Sequence, residues 1–156
     1  MNDDPGTRLV GHALDDFLTL GITAHLACMD DRGWPYIVPV WHQWDGTHFW
    51  VIGAKNAAWV RYLRREPRAA LSVDEPETLR RVLVQGRSTI LEGPSTHGDW
   101  QAIARQMASR YLGDEAVAGY ETATFGLERF LIRIDVDRLV TWHGPGRSEG
   151  ERPRND

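Results

Sequence analysis

Lys55 is the sole lysine of this chain; arginine supplies every other basic side chain in a total of eighteen Lys and Arg. It follows the strand-like run Phe49-Trp50-Val51-Ile52-Gly53 and precedes the helix-like run Asn56 to Arg65. A strand that ends in glycine and opens into a helix makes an anion site. The first N–H groups of a helix have no internal partner, and its dipole favours negative charge there. An ammonium group at that junction points to a phosphate.

Other reactive side chains carry less signal. The six histidines (12, 25, 42, 48, 97 and 143) show no His-x-x-x-His or His-Glu-x-x-His spacing, so no metal ligands are expected. His42 and His48 flank Asp45-Gly46 and are placed to meet across a hairpin, as surface or interface residues. Cys28 is read as a small residue packed in a strand, and a single cysteine fits a reducing cytoplasm. The carboxylates at 30, 31, 74, 75 and 77 lie in turns, where solvation is the usual explanation. No Gly-x-Ser-x-Gly or Gly-x-x-x-x-Gly-Lys pattern points to a hydrolase or nucleotidase. No residue stands out as a catalytic acid or base.

The elements that must position these groups follow from periodicity and turn residues. Residues 11–20 read as a short amphipathic helix stopped by Gly21, and 23–29 as a strand. One long strand is expected over 35–44, then a two-residue hairpin at Asp45-Gly46 and a returning strand over 47–52. A helix over 56–65 ends at Glu66-Pro67, because the residue before proline disfavours helix. Strands at 68–73 and 81–91 follow, the second carrying Gly86 as a bulge or close approach. Apolar positions from 100 to 112 mark a helix over 99–112, with a shorter one at 115–120 and a last strand from 130 to 142. Six strands joined mostly by hairpins predict a mainly β chain, a small antiparallel barrel. Residues 11–143 are expected to form one domain, residues 1–10 a flexible N-terminus and 144–156 a disordered tail rich in Gly, Pro and charge.

Composition agrees. The 156 residues are 42% hydrophobic and 26% charged, ordinary for a globular protein, and no run reaches the length of a membrane span. A net charge of −4 argues against a nucleic-acid partner. The acidic start, Met1 to Pro5, lacks the features of a signal peptide, so a cytoplasmic location is expected.

Five segments in order resemble one family. Ala24 to Met29 with Asp31-Arg32-Gly33-Trp34-Pro35, Val38-Pro39-Val40-Trp41 with Trp44-Asp45-Gly46, Arg61 to Arg68, Val82 to Gly86, and Arg138 to Trp142 are similar to the pyridoxamine 5′-phosphate oxidase-like split-barrel superfamily. The resemblance spans roughly residues 15 to 143. It implies a six-stranded split β-barrel, a homodimer, and flavin (FMN) or F-420-type deazaflavin sites at the dimer interface. The cofactor-binding residues it implies are Val38, Val40, Ile52, Gly53, Lys55 and Arg61, with Arg81 from the partner strand. Relatives carry a phosphate-binding lysine where this chain has Trp59, one helical turn beyond Lys55, so Trp59 is placed at the cofactor, at the substrate or in packing. Trp41 and Trp50 are candidates for an apolar wall. The basic FMN signature and the C-terminal substrate arginine motif of the oxidase itself are not evident. The resemblance thus implies a flavin- or deazaflavin-dependent oxidoreductase moving a hydride to or from a small organic substrate. The alternative is a non-catalytic flavin- or haem-binding carrier or sensor.

Overall fold

The computed structural model describes residues 8–144; the expected flexible start and tail lie outside the described residues, apart from residues 8–10 and Gly144. Seven strands form one sheet: β1 (Ala24–Met29), β2 (Pro35–Val40), β3 (Gln43–Trp44), β4 (His48–Ala54), β5 (Arg68–Glu75), β6 (Arg80–Ser95) and β7 (Arg129–Trp142). Four α-helices accompany them: α1 (His12–Leu18), α2 (Ala58–Arg65), α3 (Trp100–Leu112) and α4 (Val117–Thr124). The strand order is β2-β1-β5-β6-β7-β4-β3, and every pairing is antiparallel. The two end strands, β2 and β3, are joined by Trp41 and His42 alone. Three Cα–Cα steps reach at most about 11 Å. The ends of the sheet must therefore curl towards each other, which makes the sheet a split barrel rather than an open layer.

The same two residues correct one expectation. A single strand over 35–44 does not form, because the chain turns its His42 side chain into the interior. His42 is fully buried, with Nε2 3.2 Å from the Leu18 carbonyl and Nδ1 3.0 Å from the Tyr111 hydroxyl. His48 instead lies at the surface beside Asp45 and Asp135, so the two histidines do not meet. The hairpin is also wider than expected. Gln43 pairs with Trp50 and Trp44 with Phe49, leaving a four-residue turn in which Asp45 Oδ1 accepts from the Thr47 and His48 amides.

The barrel interior is filled by alternate residues of the strands, among them Leu26, Phe49, Val51, Leu71, Val73, Val82, Ile132 and Ile134, each at most 2% exposed. Phe17 and Leu18 of α1 and Val60 and Leu63 of α2 plug it. Gly86 does mark a bulge: the β6–β7 register shifts there, and a Cβ would overlap the Asp135 carbonyl. Outside the barrel, α3 and α4 cover one face of β4 and β7 through a second cluster. In it Trp100, Ala104 and Leu131 meet Trp50, Ile52, Tyr120 and Phe125. Cys28 is a buried free thiol whose pKa is pushed up to about 11 by burial and by the charge of Asp30, so it is a packing residue.

Candidate functional site

The ends of β2 and β4, the start of α2 and the α3–α4 layer leave a cleft of about 270 Å³ between them. Pro39, Val40 and Trp41 form one wall, Ile52, Ala54, Ala57 and Trp59 another, and Met107, Tyr120 and Arg129 the side contributed by the outer helices and β7. Trp41 is held flat against Tyr111, ring centroids 4.8 Å apart and planes 9° apart, and Tyr120 tilts against it at 5.6 Å. The Tyr111 ring is fixed in turn by its hydroxyl, which donates to the Ile22 carbonyl at 2.8 Å and sits beside buried His42. A rigid aromatic wall results. Burial and the nearby Arg110 charge hold the His42 pKa down to about 4, so this support is neutral at ordinary pH.

Four of the residues named from the sequence, Val40, Trp41, Ile52 and Trp59, meet in this cleft. Gly53 lies beneath it, and its lack of a side chain serves packing. A Cβ there would overlap Val60 and come within 3.2 Å of the Trp59 ring. Trp59 is 6% exposed and fills the position with an indole. Val38 packs against the barrel core. Lys55 is exposed and ion-paired with Glu128, while its backbone amide donates to the Glu128 carbonyl at 3.0 Å. Arg61 pairs with Asp31 at 2.8 Å, and Arg65 binds carbonyls of the same β1–β2 turn, so these two arginines of α2 are tied to that turn. Asp30 in that turn is buried rather than solvated. It accepts from the amides of Trp34 and Arg32, and the Trp34 bond above all lowers its pKa. Arg81 lies at the start of β6 with its guanidinium 5.6 Å from the Trp142 ring. Trp50 bonds Asp45 and packs under α3, away from the cleft lining.

Sequence reasoning missed Arg129, Tyr120 and Met107. Nothing in their local spacing marks them; they reach the cleft only because α3 and α4 fold back over β4 and β7. Arg129 has no ion pair or hydrogen bond from its side chain among the described residues, and the Tyr120 hydroxyl likewise has no hydrogen bond there.

Larger hollows lie elsewhere, one of about 390 Å³ between residues 8–14 and β7 and two on the outer face of β1, β2, β5, β6 and β7. Of the two on the sheet, one, of about 340 Å³, is apolar and includes His25, Ile37, Leu83, Val140 and Trp142. The other, of about 500 Å³, runs beside it past Arg68, Arg87 and Arg138. Ile37 is 65% and Leu83 42% exposed, which leaves an apolar surface open on this face. The two sheet hollows are lined by strands alone, whereas the smaller cleft gathers side chains from three strands and three helices: β2, β4, β7, α2, α3 and α4. Among the described residues no three His, Cys, Asp or Glu side chains converge as metal ligands, and no helix is long and apolar enough to cross a membrane.

The cleft suits a planar ring with a polar edge, since aromatic and aliphatic side chains line it while polar groups make up about half of the surface it exposes. Its volume falls just under the range of roughly 300–1,000 Å³ for small-molecule sites. A ring system of flavin size would extend past its rim.

Comparison with known proteins agrees with this architecture. The model of the family described as pyridoxamine 5′-phosphate oxidase matches residues 10–143. Among solved structures, the conserved hypothetical protein Rv2991 from Mycobacterium tuberculosis is 25% identical with a TM-score of 0.68, covering 92% of this chain and 94% of that one. A protein described as an F420 reductase is 21% identical with a TM-score of 0.64, over 84% of this chain and 98% of its own. HutZ, described as a heme storage protein of Vibrio cholerae, is 18% identical with a TM-score of 0.62, over 91% and 96%. No curated protein matches the sequence. The fold is thus shared by proteins described as an F420 reductase and as a heme storage protein, and this chain belongs to the pyridoxamine 5′-phosphate oxidase family.

Proposed function

We propose that the protein is a flavin- or deazaflavin-dependent oxidoreductase that works as a homodimer and moves a hydride to or from a small organic substrate. The observation that carries this reading is the aromatic cleft at the junction of β2, β4 and α2, where four of the residues named from the sequence converge. The cofactor, when bound, supplies the hydride chemistry; the chain supplies position, electrostatics and exclusion of water. Backbone groups near Val40 and Ile52 would meet the ring edge, with Trp59 and Ala57 beneath it. Lys55 and Arg61, at the start and on the first turns of α2, would take the anionic tail together with the partner subunit's Arg81. Both cations already hold carboxylates, but exposed ion pairs of this kind are worth only about 0–1 kcal/mol, so exchange for a phosphate is inexpensive. The open apolar face around Ile37 and Leu83 is the surface that dimerisation would cover.

A haem-binding carrier is the second reading. It is favoured by His25, whose ring stands exposed in the 340 Å³ apolar hollow. Titration of the purified protein with FMN, an F420-type deazaflavin and haemin, followed by visible absorption, separates the readings. A perturbed flavin or deazaflavin band together with reduction of artificial acceptors supports the oxidoreductase. A Soret band lost in His25→Ala supports the carrier, and a protein that binds none of the three removes both.

A further inference from the structure

Resting on the oxidoreductase reading, we infer that the side of the cleft formed by α3, α4 and β7 is a substrate seat for a small planar monoanion, a conjugated or aromatic carboxylate, held by Arg129.

The cleft lining contains a single cationic side chain, Arg129, among otherwise apolar and aromatic side chains that include Trp41, Trp59, Met107 and Tyr120. Its neighbours in sequence and space do not neutralise it. Successive side chains of an extended chain point to opposite sides, so Glu128 stands at the rim beside Lys55 and Arg129 faces the cleft. Arg129 lies directly across from Ala54 in the β4–β7 ladder, and the methyl group opposite leaves room above the guanidinium. A half-buried guanidinium with no partner among the described residues costs desolvation without return, whereas a carboxylate would satisfy it with two parallel bonds.

Charge and shape narrow the ligand. One unpaired cation balances one negative charge; a phosphate monoester carries about 1.5–2 and would stay underneutralised here. The Trp41 ring, immobilised against Tyr111, and the tilted Tyr120 ring present flat apolar surface, which favours a planar body over a sugar or a flexible polar chain. The unpaired Tyr120 hydroxyl adds one donor or acceptor for a second polar group on the ligand.

The test uses cinnamate as probe, with methyl cinnamate and phenethylamine as neutral and cationic counterparts. Calorimetric titration is run on the full-length protein, both free of cofactor and loaded with whichever cofactor it binds. Cinnamate should bind at least one of these forms. Arg129→Gln should weaken that binding at least tenfold, Arg129→Lys should restore part of it, and both counterparts should bind at least tenfold more weakly than cinnamate. Arg129 is half-buried at a strand start, and an unchanged thermal midpoint would show that the variants are folded. Cinnamate binding unchanged by Arg129→Gln, equal binding of the ester, or no cinnamate binding to either form would each overturn the assignment. Cinnamate binding to a protein that takes up neither flavin nor deazaflavin would uphold the anion seat while removing the hydride-transfer reading.

Discussion

At the scale of single residues, the site depends on groups that are buried to hold others still. His42 is the clearest. Its ring joins the Leu18 carbonyl to the Tyr111 hydroxyl, and Tyr111 backs the Trp41 wall of the cleft. Its pKa falls from 6.5 to about 4 on folding, mainly through burial. Between these values the unfolded chain binds a proton that the folded chain refuses. Stability should therefore fall as pH drops through that window and level off below it, by up to about 3 kcal/mol in all. Urea unfolding measured at steps from pH 7 to pH 4 should show this slope, and His42→Gln should flatten it while lowering stability at pH 7. Equal slopes in the two proteins would remove His42 as the cause. Lys55 drew attention as the only lysine, and its position beside α2 was legible in the sequence. Its pairing with Glu128 was not, because 73 residues separate the partners and only the β4–β7 register brings them together.

At the scale of elements, the strands and helices were largely legible because period, glycine and proline act locally. Gly86 shows this: a glycine inside an otherwise regular apolar strand announced a bulge, and the β6–β7 register shifts at that residue. Gly86→Ala should drive a Cβ into the Asp135 carbonyl and cost roughly 1–3 kcal/mol or more, read as a lowered denaturation midpoint. An unchanged midpoint would mean that the bulge relaxes freely. What the sequence concealed was the break at Trp41-His42, since two residues of strand-like type gave no sign that one would turn inward. The α3–α4 layer was likewise readable as helices but not as a cover for the cleft. Fully buried Trp100, with Phe125 against its edge at 5.2 Å, is its main anchor. Trp100→Ala should cost about 3–5 kcal/mol locally. Hydrogen exchange should then speed up first over residues 100–124 while the β6–β7 pair stays protected. Uniform loss across both would show that helices and barrel unfold as one unit.

For the whole molecule, the chain presents a cleft smaller than a flavin-sized ligand and, on the same sheet, an apolar face with Ile37 and Leu83 in the open. The proposed dimer would account for both features at once, by covering the face and by bringing a partner's side chains to the rim. Replacing Ile37 and Leu83 together with glutamate should leave the barrel folded, give a monomer in sedimentation, and weaken cofactor binding at least tenfold; a dimer that persists would place the interface elsewhere. The family and the barrel could be read from five short segments in order, whereas the substrate side could not, because Arg129 and Tyr120 acquire meaning only when the outer helices close over β4 and β7. The most direct test of the account is sedimentation velocity of the protein mixed with FMN or deazaflavin, followed at a visible wavelength that only the cofactor absorbs. The colour should travel with a dimer at one cofactor per chain. Colour that travels with a monomer, or that stays behind as free cofactor, would contradict it.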